Sequence, residues 1–220
     1  MITTPELINA LSANAAPVRR VRPLARAWLW TLIAALVLVL LGISQGVRPD
    51  LVDRLQQPSF GFGIGASALT AILAAVAASF LSLPDRSRLW SLLPLPALAL
   101  WLSTIAYGCV VSWVGLAPGS VTLAEIARCF ATLLVTSVPL SIALLFMLRH
   151  GALVRPEAVA SCGSLAVAGI TATALTLFHD LDATVMVLIW NVGAAALIVG
   201  LAGVFGRRML RAVAPRPVAG

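Results

Sequence analysis

Along the chain, apolar residues gather into six long runs separated by short polar connections: Ala27–Gln45, Phe60–Leu83, Leu89–Leu116, Ile126–Leu148, Ala158–Phe178 and Ala183–Phe205. A helix of about 20 apolar residues crosses a hydrocarbon core of about 30 Å. No run alternates apolar and polar positions at period two, which argues against a β-barrel. The pattern predicts an all-α polytopic membrane helix bundle with six transmembrane helices. The third run is the longest and carries Pro94 and Pro96 near its start. Its first turns are therefore expected to be irregular or to lie at the membrane interface. Trp28, Trp30, Trp90, Trp113 and Trp190 fall near run ends or in outer turns, where interfacial aromatics gather. The first run exceeds the apolar core of a signal peptide and no small-x-small cleavage site follows it, so it reads as an anchor.

Composition agrees with that pattern. The chain is 60% hydrophobic and 10% charged, with a mean hydropathy of +1.02, where soluble domains hold about 45–50% apolar and about 25% charged residues. A soluble globular enzyme and a disordered tail are both excluded. All 15 basic residues are arginine and the net charge is +7. Nucleic-acid binding would need a basic face on a folded module, whereas these arginines fall between apolar runs, so no direct nucleic-acid contact is expected. Their job is topological. If the N-terminus is cytoplasmic, only Arg48, Arg54 and Arg128 lie outside and the other twelve lie inside, the bias of the positive-inside rule. Both termini are then cytoplasmic. Residues 1–26 form an N-terminal segment with a short amphipathic helix, 27–205 the six-helix membrane domain, and 206–220 a short tail.

Every Asp, Glu and Arg falls at or near a run end, which argues against an ion-coupled transporter because such proteins carry ionisable residues inside the membrane. A small transporter or a transporter accessory subunit stays the alternative reading. Gly61 and Gly65, spaced by three, together with Ala71, Ala75 and Ala78, predict close helix packing along the second run. An intramembrane hydrolase would need Ser67 to face a histidine base at its own depth. Ser67 lacks the following glycine of a rhomboid-type nucleophile, and no enzymatic role is expected. His150 and His179 lie at opposite membrane edges, too far apart for a bis-histidine haem, and no cofactor is predicted.

The cysteines carry more information. At 1.5 Å per residue, Cys109 lies about 10 Å below the outer end of the third helix and Cys129 roughly 5 Å below the outer start of the fourth. Taken as antiparallel neighbours, these helices place both thiols in one leaflet, while Cys162 lies near the cytoplasmic side. His179, with Asp180 and Asp182, forms the outer turn between the fifth and sixth runs. Two thiols and an imidazole beside an oxidising compartment could form a reversible disulfide or take a soft metal. Equally, a free cysteine is a small buried hydrophobe, and spacing alone leaves both readings open.

At the N-terminus, Thr3 and Glu6 stand at capping-box spacing with Pro5 in the first turn. Leu7, Ile8 and Leu11 then form one apolar stripe, and the Arg19-to-Arg26 cluster meets anionic headgroups. Such a helix can dock in the groove of a partner protein or lie on the bilayer surface.

The order of short motifs resembles a known family. They are Leu7-Ile8 with Leu11, Pro17-Val18-Arg19-Arg20-Val21-Arg22-Pro23, Gly46-Val47-Arg48-Pro49-Asp50, Leu92-Leu93-Pro94-Leu95-Pro96, Gly108-Cys109 with Trp113, and Cys129-Phe130. Met147-Leu148-Arg149-His150-Gly151, Phe178-His179, Asp182-Ala183, Met186-Val187-Leu188 and Trp190-Asn191 complete the set. Together they resemble the NrsF-type family of six-span bacterial membrane proteins, from about Glu6 to Leu210. One departure is Pro5-Glu6, where an Asp-containing pair is expected before Leu-Ile. The resemblance implies an inner-membrane anti-sigma factor that sequesters an extracytoplasmic-function sigma factor and releases it on oxidative or metal stress in the envelope. It points to Glu6, Leu7, Ile8 and Leu11 as partner-binding residues and to Cys109 and Cys129 as sensing residues, with His179 added to them by its place in the outer turn.

Overall fold

The computed structural model describes residues 3–13, 22–113, 123–148 and 155–178, and all its regular structure there is helical. The helices are α1 (Thr4–Ala13), α2 (Pro23–Gln45), α3 (Leu51–Leu55), α4 (Pro58–Leu81), α5 (Leu95–Trp113), α6 (Leu123–Leu148) and α7 (Pro156–Phe178). A 3-10 turn, Arg88–Leu92, precedes α5. Five helical stretches are long and apolar enough to cross a membrane: α2, α4, the 3-10 turn running into α5, α6 and α7. They correspond to the first five apolar runs, in order. The sixth predicted span, Ala183–Phe205, lies outside the described residues.

Proline sets where these helices begin. Pro23, Pro58 and Pro156 each open a helix, where the missing N–H costs nothing because first-turn donors have no intrahelical partner. The first span accordingly starts four residues before the apolar run does. It stops at Gly46, whose φ of +76° suits a residue with no Cβ and whose N–H reaches the Gly42 carbonyl at 3.1 Å. The Pro94-Pro96 region behaves as expected: the helix breaks there, and α5 proper begins at Leu95.

The core is the seam between α4 and α7, the most extensive helix–helix contact among the described residues. Ala71, Ala74, Ala75 and Ala78 of α4 face Ala166, Val167 and Ile170 of α7, all buried. The closest approach is at Gly169, where a Cβ would stand 2.8 Å from the Ser67 carbonyl oxygen and 2.9 Å from the Ala71 Cβ. Small residues let two backbones meet, which drives association in lipid through van der Waals contact. Buried hydroxyls along both helices turn back on their own turns: Thr70 to the Ala66 carbonyl at 2.7 Å, Thr171 to Val167 at 2.9 Å and Thr173 to Gly169 at 2.9 Å. That satisfies each polar group without water.

Around this seam, α5 packs on α4, while α6 packs on α7 and α2. Three expectations change here. Among the described residues the close-packing glycines are not Gly61 and Gly65, since nothing there lies within 4 Å of a Cβ built on Gly65 and only the Leu55 carbonyl oxygen lies 4.0 Å from one on Gly61. Trp30 is not interfacial: it is fully buried, and its indole N–H donates to the Leu140 carbonyl at 3.2 Å. Trp28, by contrast, is exposed. Finally, α5 and α6 form no packed interface among the described residues, so consecutive spans are separated by α4 and α7. Contacts across the bundle, not order along the chain, decide which helices are neighbours.

Candidate functional site

At the N-terminus, the Glu6 half of the capping box forms. Helix α1 begins at Thr4, so Thr3 is its cap, and the Thr3 N–H donates to Glu6 Oε2 at 2.8 Å. This bond holds the Glu6 carboxyl below its ordinary range, because the charged form is the better acceptor. The box fixes the start of a ten-residue helix that would otherwise be marginal at that length. Ile8 on the predicted stripe is exposed. The side chains of Leu7 and Leu11 lie outside the described set. The arrangement can present an apolar helical face to a partner groove.

A second constellation stands at the end of the bundle where α2 and α7 finish and α4 and α6 begin. After Gly46 the chain turns back through Val47, Arg48, Pro49 and Asp50 into α3. Arg48 is only 6% exposed. Its guanidinium makes a two-pronged bond to the Asp50 carboxylate, Nε to Oδ1 at 2.5 Å and Nη2 to Oδ2 at 2.8 Å. It also lies 5.7 Å from the centroid of the Phe60 ring on α4, a cation–π distance. The Arg48 backbone N–H reaches the Leu177 carbonyl at the end of α7, at 3.4 Å. Arg54 adds a second cation to Asp50, Nε to Oδ2 at 3.2 Å. Arg48 foremost, with Arg54, holds the Asp50 carboxyl down to about 2. A charge-assisted fork of this kind gives both energy and fixed geometry.

Two further contacts bind the same end together. Phe178 of α7 packs over Gly42, where a Cβ would meet its ring at 3.5 Å, and shares an apolar cluster with Leu41 and Ala174. Thr132 of α6 donates to the Gln45 side-chain oxygen of α2 at 3.0 Å. Cys129 stands one turn from Thr132, half-buried and as a free thiol. Cys109 belongs to α5, but its side chain lies outside the described set. His179, next after Phe178, lies outside the described residues altogether. The structure thus places Cys129 at the clamped end of the bundle and says nothing of its distance from the other two. Cys162 is buried in the core with Leu144 and Ala166.

Ser67 is buried, and its hydroxyl pairs with Thr173 Oγ1 at 2.9 Å and donates to the Ile64 carbonyl at 3.0 Å. Those contacts are a helix–helix bridge. Sequence reasoning treated Arg48 as one of three charges on the far side and missed its role as a clamp. The signal was present: a glycine stop, then Arg-Pro-Asp, puts an acid two residues from a cation across a rigid proline.

Residues 11–211 of the chain match the family model described as NrsF, negative regulator of sigma F. No curated protein and no solved structure matches.

Proposed function

Because this chain belongs to the NrsF family of negative regulators of sigma F, we propose that it is an integral inner-membrane anti-sigma factor for an extracytoplasmic-function sigma factor. The family match over most of the chain is the observation that carries this reading. In it, six spans cross the membrane and both termini face the cytoplasm. The bilayer is its second partner, and the chain acts by binding rather than catalysis. Helix α1, its start fixed by the Thr3–Glu6 cap, offers Leu7, Ile8 and Leu11 to a groove on the sigma factor, with Glu6 beside them. The arginines between α1 and α2 hold that helix near the inner surface.

Release follows from a stimulus outside. Oxidation or soft-metal capture at Cys109 and Cys129, with His179 as a further ligand, would have to bring together the outer ends of α5 and α6, which do not pack on each other among the described residues. The outer clamp supplies a route inward, since Thr132 of α6 holds Gln45 of α2 and α2 leads back to the N-terminal segment. For the stimulus to free the partner, the two bundle arrangements must differ in affinity for it.

The test is co-purification. Full-length protein extracted in mild detergent should retain its cognate sigma factor, and the Leu7→Asp/Leu11→Asp variant should lose it while still inserting in the membrane. Truncating one buried apolar anchor costs about 1–3 kcal/mol at such interfaces, so two charges in the groove should abolish retention. A doubly substituted protein that still holds the sigma factor would overturn the docking role of α1. Separately, Cys109→Ser/Cys129→Ser should uncouple release from oxidant and metal, whereas Cys162→Ser should not. A full response in the double variant would return both thiols to the role of small hydrophobes.

A further inference from the structure

At the opposite end of the bundle from the Arg48 clamp, the chain between α4 and α5 builds a second polar–apolar corner. The 3-10 turn and the first turn of α5 enclose an open cleft of about 360 Å³ lined by Leu89, Trp90, Leu92, Leu93 and Pro96. One wall is fixed: the Trp90 ring stacks on Phe80 of α4 with centroids 4.1 Å apart and planes within 8°. The Arg86 guanidinium lies 5.5 Å from the centroid of the same Phe80 ring. Arg155, leading into α7, donates from Nη1 to the Arg86 carbonyl at 2.7 Å. Arg88, at the start of the 3-10 turn, is exposed. Two carboxylates share this end. Asp85 stands 3.9 Å from Arg86, and Glu157 lies in the first turn of α7.

We propose that this corner is a binding site for an anionic phospholipid, with the acyl chain in the Trp90 cleft and the phosphate on Arg88 and Arg155. Three observations favour a lipid over other occupants. The cleft lies where apolar helices give way to charged connections, the level at which lipid phosphates sit. Its rim continues into Leu89, Leu92 and Leu95, all exposed, so a chain lying there stays within one apolar surface. Arg88 opens the 3-10 turn that lines the cleft, and Arg155 is held at the same corner by its bond to the Arg86 carbonyl; a guanidinium carries five donors, so that one bond leaves others for phosphate oxygens. Basic pockets between membrane helices bind anionic headgroups by the same combination.

The experiment is native mass spectrometry of the full-length protein in mild detergent, offered equal amounts of phosphatidylglycerol and phosphatidylcholine. No sigma factor is present, so failure here leaves the proposed function untouched and the reverse also holds. Phosphatidylglycerol should be retained preferentially, and Arg88→Gln should weaken that retention about fivefold. Arg88→Gln/Arg155→Gln should remove it, while Arg128→Gln at the other end should not. Glycerol phosphate at millimolar concentration, a headgroup with no acyl chain, should fail to displace the lipid. Equal retention of the two lipids, equal loss in Arg128→Gln, or full displacement by glycerol phosphate would each overturn the site. Because Arg155 also holds the Arg86 carbonyl, the single Arg88 variant keeps the result readable if the double variant misfolds.

Discussion

Helices α4 and α7 meet through alanine, glycine and threonine, whereas α2 turns mostly leucine and valine outward. The most apolar stretch of α4 is 61% buried and that of α7 72%, against 22% for α2. Yet the apolar stretch of α2 is no less hydrophobic than theirs. Burial here follows side-chain size rather than hydrophobicity, because lipid solvates leucine as well as protein does. The seam is held by a continuous close approach. Helix α2 buries one face, Trp30 and Ala34 in the main core and Leu41 against Phe178, and polar contacts add to it: the Trp30 indole on Leu140, Gln45 on Thr132, and the Arg48 clamp reaching α4 and α7. In the proposed release, the seam would serve as the fixed frame and α2, with less of its surface buried, as the element that moves.

The strongest way to break the comparison is to add bulk at the seam. Gly169→Leu should drive the helices apart, because the clash is with backbone atoms that cannot rotate away. The expected cost is about 3 kcal/mol or more, read as loss of the folded fraction in thermal unfolding in detergent. Leu36→Ala on the exposed face of α2 should change stability by less than about 0.5 kcal/mol. Gly163→Ala should fall between them, since its clash is only with the movable tip of Leu144.

Next in size is the clamp. Arg48→Met removes the fork to Asp50 and the contact with Phe60, and the latter alone is worth about 1 kcal/mol. Lysine should not restore it, because an ammonium cannot make the two-pronged bond. The variant should lower the unfolding midpoint modestly, and it should loosen α2 more than α4, visible as faster hydrogen exchange at 40–46 than at 70–78. Equal exchange changes in both segments would erase the distinction between frame and moving helix. Trp30→Phe deletes the hydrogen bond to Leu140, about 0.5–1.5 kcal/mol, and leaves a void where the larger indole was buried, with the same bias toward α2.

The smallest effect concerns pH. Asp50 has its carboxyl depressed to about 2, below the unfolded-chain value of about 3.9. A depressed folded value means that its stabilisation is complete above about pH 4 and is lost as pH falls through about 2. The clamp should therefore be indifferent to pH between 5 and 8. Acid release should appear only near pH 2, and Asp50→Asn should abolish that acid step. A midpoint that shifts between pH 6 and 5 would point to a different group.

Much of this was legible in the sequence, for reasons that particular residues show. The first five apolar runs announced the long helices because each holds about the 20 residues a membrane-crossing helix needs. Thr3 and Glu6 announced the cap because both halves of a capping box sit within four residues. Helix adjacency was not legible. The pairing of α4 with α7 depends on Gly169 meeting Ser67 and Ala71 about a hundred positions earlier, and many small residues could have supplied such a meeting. Gly61 and Gly65 had the familiar spacing, but among the described residues no helix packs closely on them. Trp30 looked interfacial because its place in the run was visible and its distant acceptor, Leu140, was not. Arg48 was counted as a charge for topology because burial of a loop residue is a tertiary fact. The proposed thiol site was legible only as depth, and its geometry turns on Cys109 and His179, whose side chains are not described.

The most direct test of the central claim, that α1 holds a sigma factor and the bundle governs its release, is a sigma-regulon reporter in cells carrying variants at equal membrane levels. With Leu7→Asp/Leu11→Asp the regulon should be fully on without stimulus. With Arg48→Met it should be partly on, and with Leu36→Ala it should match the unmodified protein. Full repression by the Leu7→Asp/Leu11→Asp protein would contradict the account.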